Sequence, residues 1–394
     1  MSSELVNPSE AIMPPFAYFT PQTGFIPATT NPPPPHRSLV EFVYEAEGGA
    51  NVVYVVQGVP LENIPERDRA EFSQSHLFEQ STIRREHKPV LHGRVLRLRK
   101  LSTNTPICDQ FQYYSTTIRG RCFRGLEDLV LDCALTAVHP DVILLLNGDL
   151  ADMQKTKERP KKRYGNFLVN DHGMLLKDMR PIKGMTWTIE YKPKWLAPSP
   201  NAPTSSRRCR GCAMAKTGQR KIMFCPLELI HEDNNRVERA VHTLLKELKI
   251  TDHPQYTDKV GQTVAKMFTD PGGDAYRLLR RLQELQLLND PKGILHLCNK
   301  EAYGGDQAAA AKDFEPFLVA TTLRDCSLFI KGTWDTDEIV ARVTDLDLKN
   351  AEGGKLEKWF QDEANLVNNG FYTGEGKGAH QDSQPETCVL WRDA

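Results

Sequence analysis

Polar and apolar residues alternate along Arg94-Val95-Leu96-Arg97-Leu98-Arg99-Lys100, placing Leu96 and Leu98 on one side of an extended chain and Arg97 and Arg99 on the other. Val43-Tyr44 and Val52–Val56 read as two more strands, separated by Glu45-Ala46-Glu47-Gly48-Gly49-Ala50-Asn51. Gly125 to Ala137 reads as a helix and Asp141 to Leu146 as a short buried strand. Beyond residue 195 the spacing turns helical. Val237, Val241, Leu244, Leu245 and Leu248 follow the cap-like Asp233-Asn234-Asn235, and Leu278, Leu279, Leu282 and Leu285 form a second stripe. Cys326 to Ile330 and Ile339 to Leu348 read as strands around a polar turn. The first 36 residues, ending in a run of four prolines, read as a disordered lead-in with too little apolar surface to offset ordering entropy. The pattern is α+β, with a mostly antiparallel first half and a more helical second half.

Composition adds limits. The chain has 394 residues, 40% of them hydrophobic and 26% charged, enough for two lobes with ordinary cores. A net charge of -1 gives no bulk attraction to nucleic acid or membranes, so neither partner is expected. No apolar run approaches the roughly 20 residues of a spanning helix, and Met1 to Phe19 lacks the pattern of a secretory signal. Nine cysteines without an export signal point to a reducing interior, where thiols stay free or bind metal. The chain is expected to act as a monomer on small molecules.

Charge near four short motifs changes the picture further. Gly48-Gly49-Ala50-Asn51, between two strands, offers a nearly side-chain-free tip whose amides can approach phosphate, although from these residues alone a tight hairpin is the plainer explanation. Arg97 follows on a strand that could supply a phosphate cation; a solvated basic face is the alternative. In Glu190-Tyr191-Lys192-Pro193-Lys194, an extended chain points Glu190, Lys192 and Lys194 the same way, roughly 6.6 Å apart. Two such lysines repel unless anions lie between them; the alternative is a charged edge strand. Finally, a turn centred on Asp335 sets Asp325 opposite Asp345. Facing carboxylates need a cation, and magnesium suits phosphoryl transfer, whereas two surface aspartates are the bland reading.

Two basic runs, Lys155 to Arg163 and Arg207 to Lys221, suggest a local anion sink. Aromatic residues are sparse there, which favours a polyphosphorylated small molecule over RNA. Cys209, Cys212 and Cys225, with His231 shortly after, have spacing compatible with three or four ligands of a structural zinc ion.

In this order the motifs resemble the inositol-pentakisphosphate 2-kinase family. The resembling islands are Tyr44 to Val53, Val95-Leu96-Arg97, Glu158-Arg159-Pro160, Leu168 to His172, Glu190 to Lys194, Cys225 to Leu229, Thr322 to Ser327 and Asp345 to Lys349. The Glu-x-Lys-Pro-Lys element is the most specific of them. The resemblance implies a kinase-like two-lobed fold with ATP in the cleft, an N-lobe over 37–190 and a C-lobe over 191–394. It implies phosphorylation of the 2-hydroxyl of inositol 1,3,4,5,6-pentakisphosphate to the hexakisphosphate, phytate, with ATP and Mg2+, and residence in the nucleus.

By the same resemblance Asp325 is the catalytic base and, with Asp345, a metal ligand. Lys192 holds the transferring phosphoryl group. Lys192, Lys194, Arg159 and Lys349 bind substrate, while Gly48, Gly49, Ala50, Asn51, Arg97, Asn170, His172, Glu190 and Asp345 face the nucleotide. Ala213-Met214-Ala215-Lys216 departs from the family, which often places a substrate-contacting histidine there; that contact is either lost or supplied by Lys216 or Arg220. Two other readings remain: a kinase for a less phosphorylated inositol, and a non-catalytic polyphosphate or RNA scaffold.

Overall fold

The structure, a computed structural model, describes residues 15–72, 82–101, 105–219, 221–299, 301, 307–379 and 388–392. It is mixed α+β and separates into two compact units. The first comprises residues up to Gln112 together with Asp132–Asp178, and the second comprises Tyr113–Leu131 and Met179 onward. The division thus falls at 178/179, and the second unit takes in the segment from 113 to 131.

The first unit is built on a seven-stranded antiparallel sheet. Its strands are β1 (Phe16–Thr20), β2 (Gly24–Pro27), β3 (Ser38–Glu47), β4 (Asn51–Gly58), β5 (Arg94–Arg99), β6 (Cys133–Ala137) and β7 (His172–Lys177), in the order β2-β1-β3-β4-β5-β7-β6. Alternation in β5 buries Leu96 and Leu98 in a cluster with Phe42, Val52 and Tyr54. Helix Pro140–Thr156 packs Val142, Ile143, Leu146 and Leu150 into the same cluster.

Three sequence expectations are corrected here. The stretch 141–146 is helix, not strand: its buried residues recur at helical spacing, and Pro140 occupies the first turn, where its missing N–H costs nothing. The stretch 125–137 is not one helix. Gly125 has φ 77°, a 3-10 turn covers Glu127–Leu129, and the chain then extends as edge strand β6. The lead-in is not disordered from residue 16 onward. Ala17, Phe19 and Phe25 enter the core, and the buried Tyr18 hydroxyl and Arg37 both donate to the Asp68 carboxylate at 2.7–2.9 Å.

The second unit carries a three-stranded antiparallel sheet of β8 (Thr186–Tyr191), β9 (Ser327–Thr333) and β10 (Ile339–Thr344), ordered β10-β9-β8. The two predicted leucine stripes are present. Helix Asn234–Glu247 is capped by the Asp233 carboxylate and buries Val237, Val241, Leu244 and Leu245, and helix Asp274–Asn289 buries its four predicted leucines. Helices Gln307–Asp325 and Lys355–Asn368 flank the end of the sheet's β9–β10 ribbon in sequence. No described helix is long and apolar enough to cross a membrane.

Candidate functional site

In the first unit the glycine tip lies between β3 and β4. The Gly48 amide donates to the Asn51 carbonyl at 2.9 Å, which closes the turn. Neither Gly48 nor Gly49 has a positive φ; a Cβ on Gly48 would meet nothing, and one on Gly49 only Arg163 at 3.7 Å. The hairpin therefore does not itself require glycine. What glycine leaves is open space above the backbone, the condition for close approach of a ligand.

Beneath the tip lies a buried ionic cluster. The Glu47 carboxylate accepts from Arg159 Nε at 2.7 Å and from Lys100 Nζ at 3.2 Å, and all three side chains are fully buried. Lys100 also donates to the Gly48 carbonyl at 2.7 Å, and its amide to the Ala50 carbonyl at 2.9 Å. Burial pulls the Lys100 ammonium below its ordinary pKa against the pull of Glu47. Arg159, expected at a substrate phosphate, thus sits under the glycine turn; to reach a phosphate it has to leave Glu47.

The other nucleotide-facing candidates lie along the same sheet. Arg97 is buried and pairs in register with Val53 and Met174. Lys100 bridges to Leu168, which brings the segment before β7 alongside the end of β5. Asn170 is half-buried in that segment, and His172 opens β7 with its Nδ1 2.8 Å from Asp171.

In the second unit the predicted charges converge. β8 ends at Tyr191, ahead of Pro193, whose missing donor cannot continue a ladder. Lys194 then takes a left-handed conformation, φ 57°, so the extended alternation stops short of it. Buried Gln286 holds this turn from both sides, accepting from the Leu196 amide and donating to the Lys194 carbonyl at 2.9 Å each. Such a conformation persists because its neighbours over-determine it.

The aspartates sit at the opposite ends of the β9–β10 ribbon from the turn. Partners in this ribbon sum to 671, as in Ser327↔Thr344 and Gly332↔Ile339, where a turn centred on Asp335 requires 670. The pairing is therefore offset by one. Asp325 closes the helix before β9, and Asp345 follows β10 with φ 58°. Asp325 and Asp345 are not a cross-strand pair, yet shared lysines join them. Lys192 Nζ donates to Asp345 Oδ2 at 2.5 Å and to the Asp325 carbonyl at 3.0 Å. Lys194 and Lys349 each reach one Asp325 carboxylate oxygen at 2.6 Å. Thr322, one turn before Asp325, binds the Asp347 carbonyl and the Lys349 amide through its hydroxyl and so fastens the loop that carries Lys349. Glu190 accepts from Ser327 Oγ at 2.8 Å.

Burial alone would raise the Asp325 carboxyl pKa, but Lys349 and Lys194 outweigh it and hold the group well below the usual carboxylate range. Burial likewise pulls Lys192 down, and Asp345 more than reverses this. Three lysines thus face Asp325, Asp345 and the nearby Glu190 in one interleaved charge cluster.

Beside it lies a cavity of about 340 Å³ bordered by Lys194, Asp325 and Lys349. Its wall holds Trp195 with Arg324 3.6 Å and Arg210 4.7 Å from the ring centroid. Arg324 pairs with buried Asp290 at 2.6 Å, and Arg210 with Glu363 at 2.7 Å. Exposed Lys355 and Lys358 line the same space. Sequence reasoning missed Lys355, Lys358 and Arg324, although Arg324 adjoins Asp325; the lysines had no marker beyond charge at a helix start. Met214 is buried in an apolar cluster with Leu366, Phe371 and Tyr372, so that position belongs to core, and Arg220 lies outside the described residues.

Cys209, Cys212 and Cys225 are also brought together, and Cys388 joins them. Comparison with known proteins adds the last finding. Residues 44–365 match the family profile described as inositol-pentakisphosphate 2-kinase. An inositol-pentakisphosphate 2-kinase of Yarrowia lipolytica is 29% identical over 191 residues, covering 48% of this chain and 56% of that relative. One from Candida glabrata is 25% identical over 296 residues, covering 72% of this chain and 92% of that relative.

Proposed function

This chain belongs to the inositol-pentakisphosphate 2-kinase family, and we propose that it transfers the γ-phosphate of ATP to the 2-hydroxyl of inositol 1,3,4,5,6-pentakisphosphate, giving the hexakisphosphate. The observation that carries this reading is the centre in which Lys192, Lys194 and Lys349 surround Asp325 and Asp345 beside a cation-lined cavity. A kinase-like fold supplies the frame for it.

Phosphoryl transfer asks mainly for positioning and charge neutralisation. The Lys194 and Lys349 ammonium groups donate to Asp325 oxygens and stand at the cavity edge, where substrate phosphates compete for them. As they turn to phosphate, an Asp325 oxygen becomes available to the reacting hydroxyl. Those lysines are also what holds the Asp325 carboxyl low, so their departure relaxes that pull, and Asp325 orients the hydroxyl and takes its proton late, as a loose transition state allows. Lys192, a flexible point charge, stands ready for the transferring group.

The donor set fits magnesium: two carboxylates, each about two-fifths exposed, offer hard oxygen ligands. Asp345 and Asp325 would hold the ion, which when bound neutralises charge on the phosphate oxygens. The open tip at Gly48 and Gly49 takes nucleotide phosphate in the same reading.

ATP turnover compared across inositol phosphates of increasing phosphate number tests it. Turnover is expected to be highest with the pentakisphosphate bearing a free 2-hydroxyl. Faster turnover on a less phosphorylated inositol would overturn the substrate assignment.

A further inference from the structure

Four buried cysteines from three distant parts of the second unit meet at one point, and the phosphoryl-transfer reading does not use them. Cys209 and Cys212 bracket the start of helix Arg210–Lys216, Cys225 precedes the 3-10 turn Pro226–Ile230, and Cys388 precedes helix Val389–Arg392. Their exposures are 0–4%, and their Sγ atoms all lie within 4.8 Å of one another. The separations are 3.7 Å for Cys209–Cys225 and 3.9 Å for Cys225–Cys388. These exceed a disulfide bond of about 2.05 Å. They match the edge of a tetrahedron drawn around zinc with Zn–S of about 2.3 Å, which is about 3.8 Å.

Buried cysteines also pack simply as small apolar side chains. Two features argue for a ligand set instead. The Cys209 amide points at Cys388 Sγ at 3.2 Å and the Cys212 amide at Cys209 Sγ at 3.5 Å, the hydrogen bonds that stabilise metal-bound thiolates. Four sulfurs converge, and among the described residues no other three His, Cys, Asp or Glu side chains do so. Tetrahedral sulfur-only coordination selects zinc or iron, and a buried site with all four positions filled by sulfur suits the redox-inert structural ion.

We infer that Cys209, Cys212, Cys225 and Cys388 hold one structural zinc ion that fastens the C-terminal segment to the support of the cavity wall. Residues 388–392 dock where the site needs stiffness. Trp391 lies under Arg207 and Arg208, at 5.4 and 5.0 Å, and Arg392 pairs with Glu228. Arg208 donates to the Phe371 carbonyl, and the neighbouring Tyr372 hydroxyl donates to Glu363, the partner of cavity-lining Arg210. Cys388 is the ligand that ties the far end of the chain into this network.

The test is metal content of the full chain, with release followed during titration by an organomercurial. One zinc per chain is expected, freed as the buried cluster thiols react after the accessible ones among the nine cysteines; Cys388→Ser becomes substoichiometric, and Cys298→Ser, outside the cluster, keeps one zinc. Should Cys388→Ser fail to fold, cobalt exchange into the unaltered chain gives the second readout, the absorption of a tetrahedral tetrathiolate. Metal-free protein, iron in place of zinc, a disulfide within the cluster, or full zinc in Cys388→Ser would each overturn the assignment.

Discussion

Replacing Asp325 by Asn lowers kcat by about 10²–10⁴-fold, the range for losing a positioned proton acceptor, while the protein stays folded. The amide keeps the shape and one acceptor oxygen but cannot take a proton. It also removes the anion that Lys194 and Lys349 share. Those lysines are partly exposed, so water screens the loss and the fold tolerates it.

The pH behaviour follows from the sign of the Asp325 shift. Its folded pKa is depressed, so its contribution to stability is present above the unfolded value near 3.9 and is lost only as pH falls through the lower folded value. Between pH 5 and 8 Asp325 stays ionised in the free protein, and no acid limb of kcat/KM arises from it. An Asn variant retaining more than a tenth of the wild-type kcat would contradict its assigned role.

Replacing Glu47 by Ala destabilises the first unit by about 3–5 kcal/mol, the cost of leaving buried charge without its partner. Arg159 and Lys100, both fully buried, lose the Glu47 carboxylate that pairs with each of them. Because Lys100 also holds the Gly48 carbonyl, the glycine turn loosens with them. Hydrogen exchange read along β3 and β4 detects this as lost protection, accompanied by a rise in the KM for ATP. Glu47→Gln retains acceptor capacity and is expected to cost less. Unchanged protection in the Ala variant would mean that the cluster does not brace the turn.

The charged centre was readable because its chemistry is dense in short motifs. Lys192, Lys194, Asp325, Asp345 and Lys349 meet as their order implied. The detail depended on backbone features that composition does not reveal. A ribbon register offset by one and left-handed turns at Lys194 and Asp345 turned an expected carboxylate pair into a lysine-linked one.

The stretch from 125 to 146 misled because a short apolar run fits helix and strand alike, and the decisive sign was Pro140 at a helix start. Arg159 reads as a phosphate-binding cation within a basic run, and only tertiary packing shows it buried on Glu47. Cys388 stands 163 residues after Cys225, beyond the reach of any spacing rule.

The most direct test of the proposed activity is NMR identification of the product formed from ATP and inositol 1,3,4,5,6-pentakisphosphate. The account predicts a single new phosphate on the 2-oxygen, yielding the hexakisphosphate with matching ADP release. ADP release without that product, or phosphate added elsewhere on a different inositol, would contradict it.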